Sequence, residues 1–179
     1  MINPAKRADV IVDFSKFPLG TQLALINDVD QKDGNKPASV GRVAIPMMLF
    51  VINRDAPDPS RLPAKLQTIT PPDLSKVVAT RTLKFHRTKG AWMINDRFWN
   101  PDVPLFSCRL GTAERWIITN GSGGWDHPFH VHVENYQVLK RNGRVPSVVE
   151  RGRKDIVNLA GGDTVEIFIQ FHRFAGRYT

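Results

Sequence analysis

Gly121-Ser-Gly-Gly-Trp-Asp-His-Pro-Phe-His-Val-His132 decides how the rest of the chain is read. Three of the five histidines, His127, His130 and His132, close this run. The segment after it, Val133-Glu-Asn-Tyr-Gln-Val-Leu-Lys140, has the pattern of a β-strand and leads to Asn142-Gly143, a strong hairpin signal. Side chains alternate along a strand, so His130 and His132 are expected on one side. His127 precedes a proline, which holds it extended or in a turn, and it is expected to point away from the other two. That arrangement suits two separate metal positions better than one. Imidazole is the commonest metal ligand and suits copper, zinc and iron, with copper(II) highest in raw affinity. A lone strand histidine is usually just hydrogen-bonded, but three so close behind a glycine-rich loop favour a metal site.

Trp116-Ile-Ile-Thr-Asn120, the run Gly121 to His132 and Tyr136-Gln-Val-Leu139 together resemble the last cupredoxin domain of a multicopper oxidase. That family includes laccases, bilirubin oxidases and bacterial copper-tolerance oxidases, and its HPxHxH motif supplies one ligand to each of three copper types. The resemblance implies that His127 binds type 1 copper, His130 type 2 copper and His132 one of the type 3 pair. Metal-bound imidazoles commonly donate their other nitrogen to a carboxylate or carbonyl. Asp126 and Glu134 flank the motif and are the candidates for that role. Asp126 is favoured, because strand alternation would put Glu134 beside His130 and His132 or leave it exposed.

A chain of 179 residues allows one or two domains with a sizeable core. No run approaches the length of a membrane helix, so no membrane partner is expected. Met1-Ile-Asn-Pro-Ala-Lys-Arg7 lacks the apolar centre of a signal peptide. The formal charge of +8 raises nucleic acid as a partner, but Lys and Arg are scattered rather than striped. Arg151-Gly-Arg-Lys154, the densest basic patch, reads as a solvated loop. The single cysteine, Cys108, excludes an internal disulfide and a CxxC metal knuckle.

Ala8 to Phe14 and Gln22 to Ile26 read as strands, and Asn27 to Ser39 as a polar loop. Val43 to Ile52 is a further strand, in which Pro46 indicates an edge or a bulge. The start of the chain, through Phe14, resembles the closing strands of the family's middle domain. Five prolines between Asn53 and Ala79 (Pro57, Pro59, Pro63, Pro71 and Pro72) make that stretch an extended connector, with one helical turn near Pro72 to Ser75. The expected organisation is therefore 1–52 as the end of a middle cupredoxin domain, 53–79 as connector and 80–179 as an incomplete C-terminal cupredoxin domain. The fold class is all-β, a cupredoxin-like Greek-key sandwich.

Along Thr80 to His86 the alternation makes His86 an exposed strand residue. Trp92, in Ala91-Trp-Met-Ile-Asn-Asp96, and Trp99 are expected as core or interface aromatics. Cys108 has no histidine neighbour and reads as a small buried residue rather than a copper ligand. Asp155 to Leu159 and Thr164 to Phe171 are strands joined by a tight turn at Gly161-Gly162. Phe168, Phe171, Phe174 and Tyr178 are expected to need packing partners beyond Thr179, and His172 is left on the surface.

A type 1 site takes two histidines, a cysteine thiolate and a weak axial methionine. Of these the chain supplies His127, and the resemblance places the family's HCH motif beyond Thr179. The trinuclear cluster is built from histidines, of which the chain supplies His130 and His132. The resemblance implies a copper-dependent oxidoreductase that oxidises phenols, aromatic amines or metal ions and reduces dioxygen to water. The remainder of the parent chain would be a partner, and the expected location is periplasmic or extracellular. Alone, the chain is expected to hold no complete catalytic set. Two other readings stand beside this. One is a non-catalytic, copper-binding or structural cupredoxin-like module. The other is a mononuclear cupin, whose opening Gly124, His130 and His132 match, but whose glutamate is replaced by Tyr136 and Gln137.

Overall fold

The computed structural model describes residues 2–30 and 39–178. It divides into two compact units, one holding Arg7–Thr68 and the other Ile69–Thr179 together with Asn3–Lys6.

The first unit is an antiparallel ribbon of β1 (Gln22–Asp30) and β2 (Ser39–Val51). Leu25 faces Met48 while Ile26 faces Pro46, so β2 carries an extra residue beside the proline. A proline cannot donate to a ladder and is accommodated at such a slip. Two sequence expectations change here. Ala8 to Asp13 joins no sheet among the described residues, and Phe14–Lys16 forms a 3-10 turn. β-Branched residues favour extended backbone, but a strand also needs a neighbouring ladder, and Val10 and Ile11 are exposed. The turn forms because the Asp13 carboxylate accepts from the Ser15 N–H, at 3.1 Å, and its hydroxyl. The expected polar loop is paired at both ends, since β1 runs on through Asp30 and β2 opens at Ser39. The middle of that loop, 31–38, lies outside the described residues.

In the second unit Asp73 caps a 3-10 turn at Leu74–Lys76 in the same way. β3 (Val77–Thr88) then starts three residues earlier than the sequence indicates. There follow β4 (Ala91–Ile94), β5 (Arg97–Phe98), β6 (Ala113–Asn120), β7 (His127–His130), β8 (Tyr136–Arg141), β9 (Arg153–Lys154), β10 (Ile156–Leu159) and β11 (Thr164–Gln170). Seven of them form one sheet in the order β5-β4-β3-β6-β11-β8-β9, with β3 and β6 parallel. β7 and β10 pair antiparallel in a second, small ladder.

The inner face of the large sheet supplies Leu83, Phe85, Trp116, Ile118, Val138, Val165, Ile167 and Ile169 to the core. The small ladder answers with Phe129, Val157 and Leu159. Phe129 meets Phe85 at 5.8 Å and Trp116 at 6.4 Å between ring centroids. Burial of these apolar faces against each other makes an all-β sandwich. Asn142 and Gly143 both have positive φ, and Arg141 and Arg144 exchange both main-chain hydrogen bonds, so the anticipated tight turn forms. Two aromatic expectations are corrected and a third is narrowed. Phe168 is buried and Phe171 packs on Trp116 at 6.0 Å, so neither lacks partners. Trp99 is 74% exposed, which excludes the core, one of its two expected settings.

Candidate metal centre

The glycine-rich loop before His127 is held from within. Asn120, fully buried at the end of β6, donates from Nδ2 to the carbonyls of Trp125 (2.7 Å) and Leu159 (2.9 Å). Its Oδ1 accepts from the Ser122 N–H, and the Gly121 N–H donates to the Phe85 carbonyl at 2.7 Å. Gly161 approaches Gly124 so closely that a Cβ there would stand 2.9 Å from the Gly124 nitrogen. Only glycine fits that approach. The loop therefore delivers His127 to β7 at a fixed position, opposite Leu159 of β10.

His127 enters an aromatic setting, with its ring centroid 4.6 Å from that of Phe85 and 4.7 Å from that of Trp92. Trp92 packs edge-on against Trp125, over which Arg87 is stacked at 4.4 Å. Trp92 is thus an aromatic wall of the site as well as a packing residue. The Nδ1 of His127 is buried and has no hydrogen-bond partner. Burial holds its imidazole below the ordinary histidine pKa, which keeps it neutral and able to ligate. An unpaired buried nitrogen is costly by itself, and a metal ion would satisfy it.

His130 stands at the other end of β7. Its Nδ1 lies 2.8 Å from the Asp155 carbonyl, to which it can donate, leaving Nε2 for a metal. The ring of His132 comes within 4.9 Å of that of His130, centroid to centroid. Both line a shallow cleft with Val131, Val133, Glu134, Asn135 and Asp155. The pair converges as the sequence implies, but for a different reason. β7 ends at His130, and Val133 has a φ of 71°. The Glu134 N–H donates to the His132 carbonyl at 2.9 Å, closing a γ-turn where a continuous strand was expected.

The carboxylates fall out differently from their sequence reading. Asp126 accepts from Asn158 Nδ2 at 3.3 Å. Glu134 is neither exposed nor ranged with the histidines by strand alternation. It is buried, and one of its oxygens accepts the main-chain N–H groups of His172 and Arg173, each at 2.8 Å. The group on His130 Nδ1 is a main-chain carbonyl, which no side-chain motif could reveal.

Cys108 lies apart from the histidines, with Sγ 3.5 Å from Glu114 Oε2. Burial and the neighbouring Glu114 charge push its thiol up to about 11. His86 is half-buried rather than exposed, with Nε2 3.2 Å from Asp96 and a buried, unpartnered Nδ1. Among the described residues no three His, Cys, Asp or Glu side chains converge in a metal-holding group. His127 on one side and the His130–His132 pair on the other are donors that fit copper, each short of a full coordination set. Among the described residues no helix is long and apolar enough to cross a membrane.

A family model described as multicopper oxidase matches residues 68–179. The chain is similar to a bilirubin oxidase of Albifimbria verrucaria, 31% identical over 195 residues, covering 99% of this chain and 32% of that protein. It is also similar to a laccase of Bacillus stratosphericus, 28% identical over 204 residues, covering 99% of this chain and 38% of the laccase. A multicopper oxidase structure from the hyperthermophile Aquifex aeolicus superposes with a TM-score of 0.70 at 20% identity, covering 92% of this chain and 37% of that one. That likeness shows the fold, the cupredoxin sandwich. The chain spans about a third of the length of the curated relatives it matches, at 32% and 38%.

Proposed function

The chain belongs to the multicopper oxidase family, and from that premise we propose that it supplies one copper ligand to each of three sites: His127 to type 1, His130 to type 2 and His132 to type 3 copper. Membership of the family implies copper as the cofactor. The observation that carries the ligand assignment is the buried, unpartnered Nδ1 of His127, held neutral among Phe85 and Trp92. The His130 ring supports it, fixed by the Asp155 carbonyl with the opposite nitrogen left to ligate.

Bound copper supplies one-electron redox chemistry. The whole protein would oxidise phenols, aromatic amines or metal ions, passing four electrons and four protons to each dioxygen to give two waters. This chain's residues would hold and orient. The Asn120 network fixes the loop into His127, the aromatic walls of Phe85 and Trp92 keep water from its Nδ1, and β7 separates His127 from the His130–His132 pair. A periplasmic or extracellular location suits such a protein. By itself the chain is a copper-binding module without turnover, because the remaining ligands would come from elsewhere in the protein.

Titration of the 179-residue chain with copper(II), followed by EPR and an oxygen-consumption assay with a phenol, tests this. Copper is expected to bind and to be lost in steps on His127→Ala, His130→Ala and His132→Ala, with no oxygen consumed. Copper binding that survives all three substitutions would refute the ligand assignment. Turnover by the chain alone would refute the module reading.

A further inference from the structure

Val133 is the only β-branched residue among the described ones with a positive φ. It is the central residue of the γ-turn between His132 and Glu134, a conformation that crowds a branched Cβ. Strain of this kind persists where the surroundings over-determine the backbone, and it gathers at functional sites.

The surroundings here are those of Glu134, which is 5% exposed. One carboxylate oxygen takes both main-chain N–H groups of His172 and Arg173. The other lies 3.2 Å from His172 Nδ1 and 3.8 Å from Arg173 Nε but accepts no hydrogen bond, so the two main-chain N–H groups are the hydrogen-bond donors to this carboxylate. A buried carboxylate is costly without such donors. The segment leaving β11 therefore compensates the charge that the γ-turn places inside the fold. The turn is held at one end by β7 and at the other by this carboxylate.

We propose that Glu134 is a positioning residue: it anchors the strained turn at Val133 to the main chain of His172 and Arg173, and so fixes the His132 imidazole beside His130. Its consequence for copper rests on the ligand reading above, whereas the anchoring stands without metal. The strain at Val133 is then the cost of turning the chain between the two imidazoles and the buried carboxylate.

The full 179-residue chain, Glu134→Ala and Glu134→Gln are compared in three measurements. Hydrogen exchange by mass spectrometry follows the amides of His172 and Arg173 without metal. The rate at which diethyl pyrocarbonate modifies His132 reports its surroundings, also without metal. Copper(II) titration with EPR reports the His130–His132 site. In Glu134→Ala the two amides are expected to exchange about tenfold faster, the His132 rate to change, and copper to bind about tenfold more weakly with an altered hyperfine pattern. Glu134→Gln keeps an oxygen acceptor and is expected to restore most of all three. Unchanged exchange in Glu134→Ala would overturn the anchor, and so would faster exchange with an unaltered His132 rate. If Glu134→Ala unfolds, Glu134→Gln decides alone: near-native exchange and His132 rate support the anchor, and their loss refutes it. Copper binding that survives His130→Ala with His132→Ala would refute the ligand reading instead, leaving the metal-free measurements to judge the anchor.

Discussion

Glu114 is 2% exposed and yet ionised. Burial pushes its carboxyl upward, but hydrogen bonds from Arg81 (2.6 and 2.8 Å) and from Trp116 (2.8 Å) outweigh that and hold it below its ordinary value. A carboxylate depressed in the folded state contributes stability above its unfolded pKa, and that contribution is lost as pH falls through the folded value. The acid limb of the melting temperature should therefore lie below pH 4.5, the ordinary value of this carboxyl. Glu114→Gln should make that limb shallower, whereas an unchanged limb would place its origin elsewhere. Glu114→Ala, which leaves Arg81 and the Trp116 Nε1 without their carboxylate, should cost about 1–3 kcal/mol in denaturant unfolding. Cys108 shares this cluster, and its place there has consequences for colour. Copper(II)-loaded chain is expected to lack the intense blue absorption of a thiolate-bound type 1 centre, because Cys108 donates to Glu114 and forms no metal-holding group with the histidines among the described residues. A strong blue band that disappears in Cys108→Ser would make Cys108 a ligand.

At the scale of elements, the loop from Gly121 to Asp126 decides where β7 begins. The atoms that a Cβ on Gly161 would meet are main-chain atoms of Gly124, at 2.9 and 3.1 Å, so no side chain can swing aside to admit it. Gly161→Ala is expected to push the loop outward, costing about 1–3 kcal/mol and changing the copper spectrum attributed to His127. Gly152→Ala is the control, since nothing lies within 4 Å of its added carbon. Equal melting temperatures for the two variants would show that the close approach is not sustained in solution. The second determining element is the γ-turn at Val133. It ends β7 early and lets β8 restart at Tyr136, whose ring is buried with its hydroxyl donating to the Phe129 carbonyl at 3.2 Å.

For the molecule as a whole, the two units differ in how they treat apolar surface. The second unit closes a core, with Ile118, Leu159, Val165, Ile167 and Ile169 fully buried. The first leaves Leu25, Ile45, Met47, Met48, Leu49 and Val51 half exposed or more on a two-stranded ribbon. A two-stranded ribbon is marginal by itself, and unpaired edges with apolar side chains invite association. The 179-residue chain is expected to self-associate in size-exclusion chromatography, and Met47→Lys with Leu49→Lys to shift it toward monomer. A monodisperse wild-type monomer with a single cooperative melt would overturn this.

The all-β class, the family and the three candidate histidines were legible in the sequence, because these rest on local chemistry. A period of two marks β6 and β11, and His127-Pro-Phe-His-Val-His132 carries the proposed copper ligands within one short run. The tight turn at Asn142-Gly143 was legible for the same reason, since both positions favour a positive φ. Only the tertiary structure decided what those local signals meet. Val10 and Ile11 have strand propensity without a ladder partner, so Ala8 to Asp13 stays unpaired. Val133 has strand propensity too, yet it turns, since Glu134 is drawn to main-chain N–H groups 38 and 39 residues further along the chain. The partner of His130 is a carbonyl at Asp155, 25 residues away and indistinguishable in sequence from any other. Burial and long-range hydrogen bonding are sums over neighbours that folding brings together, and a sequence window does not contain those neighbours.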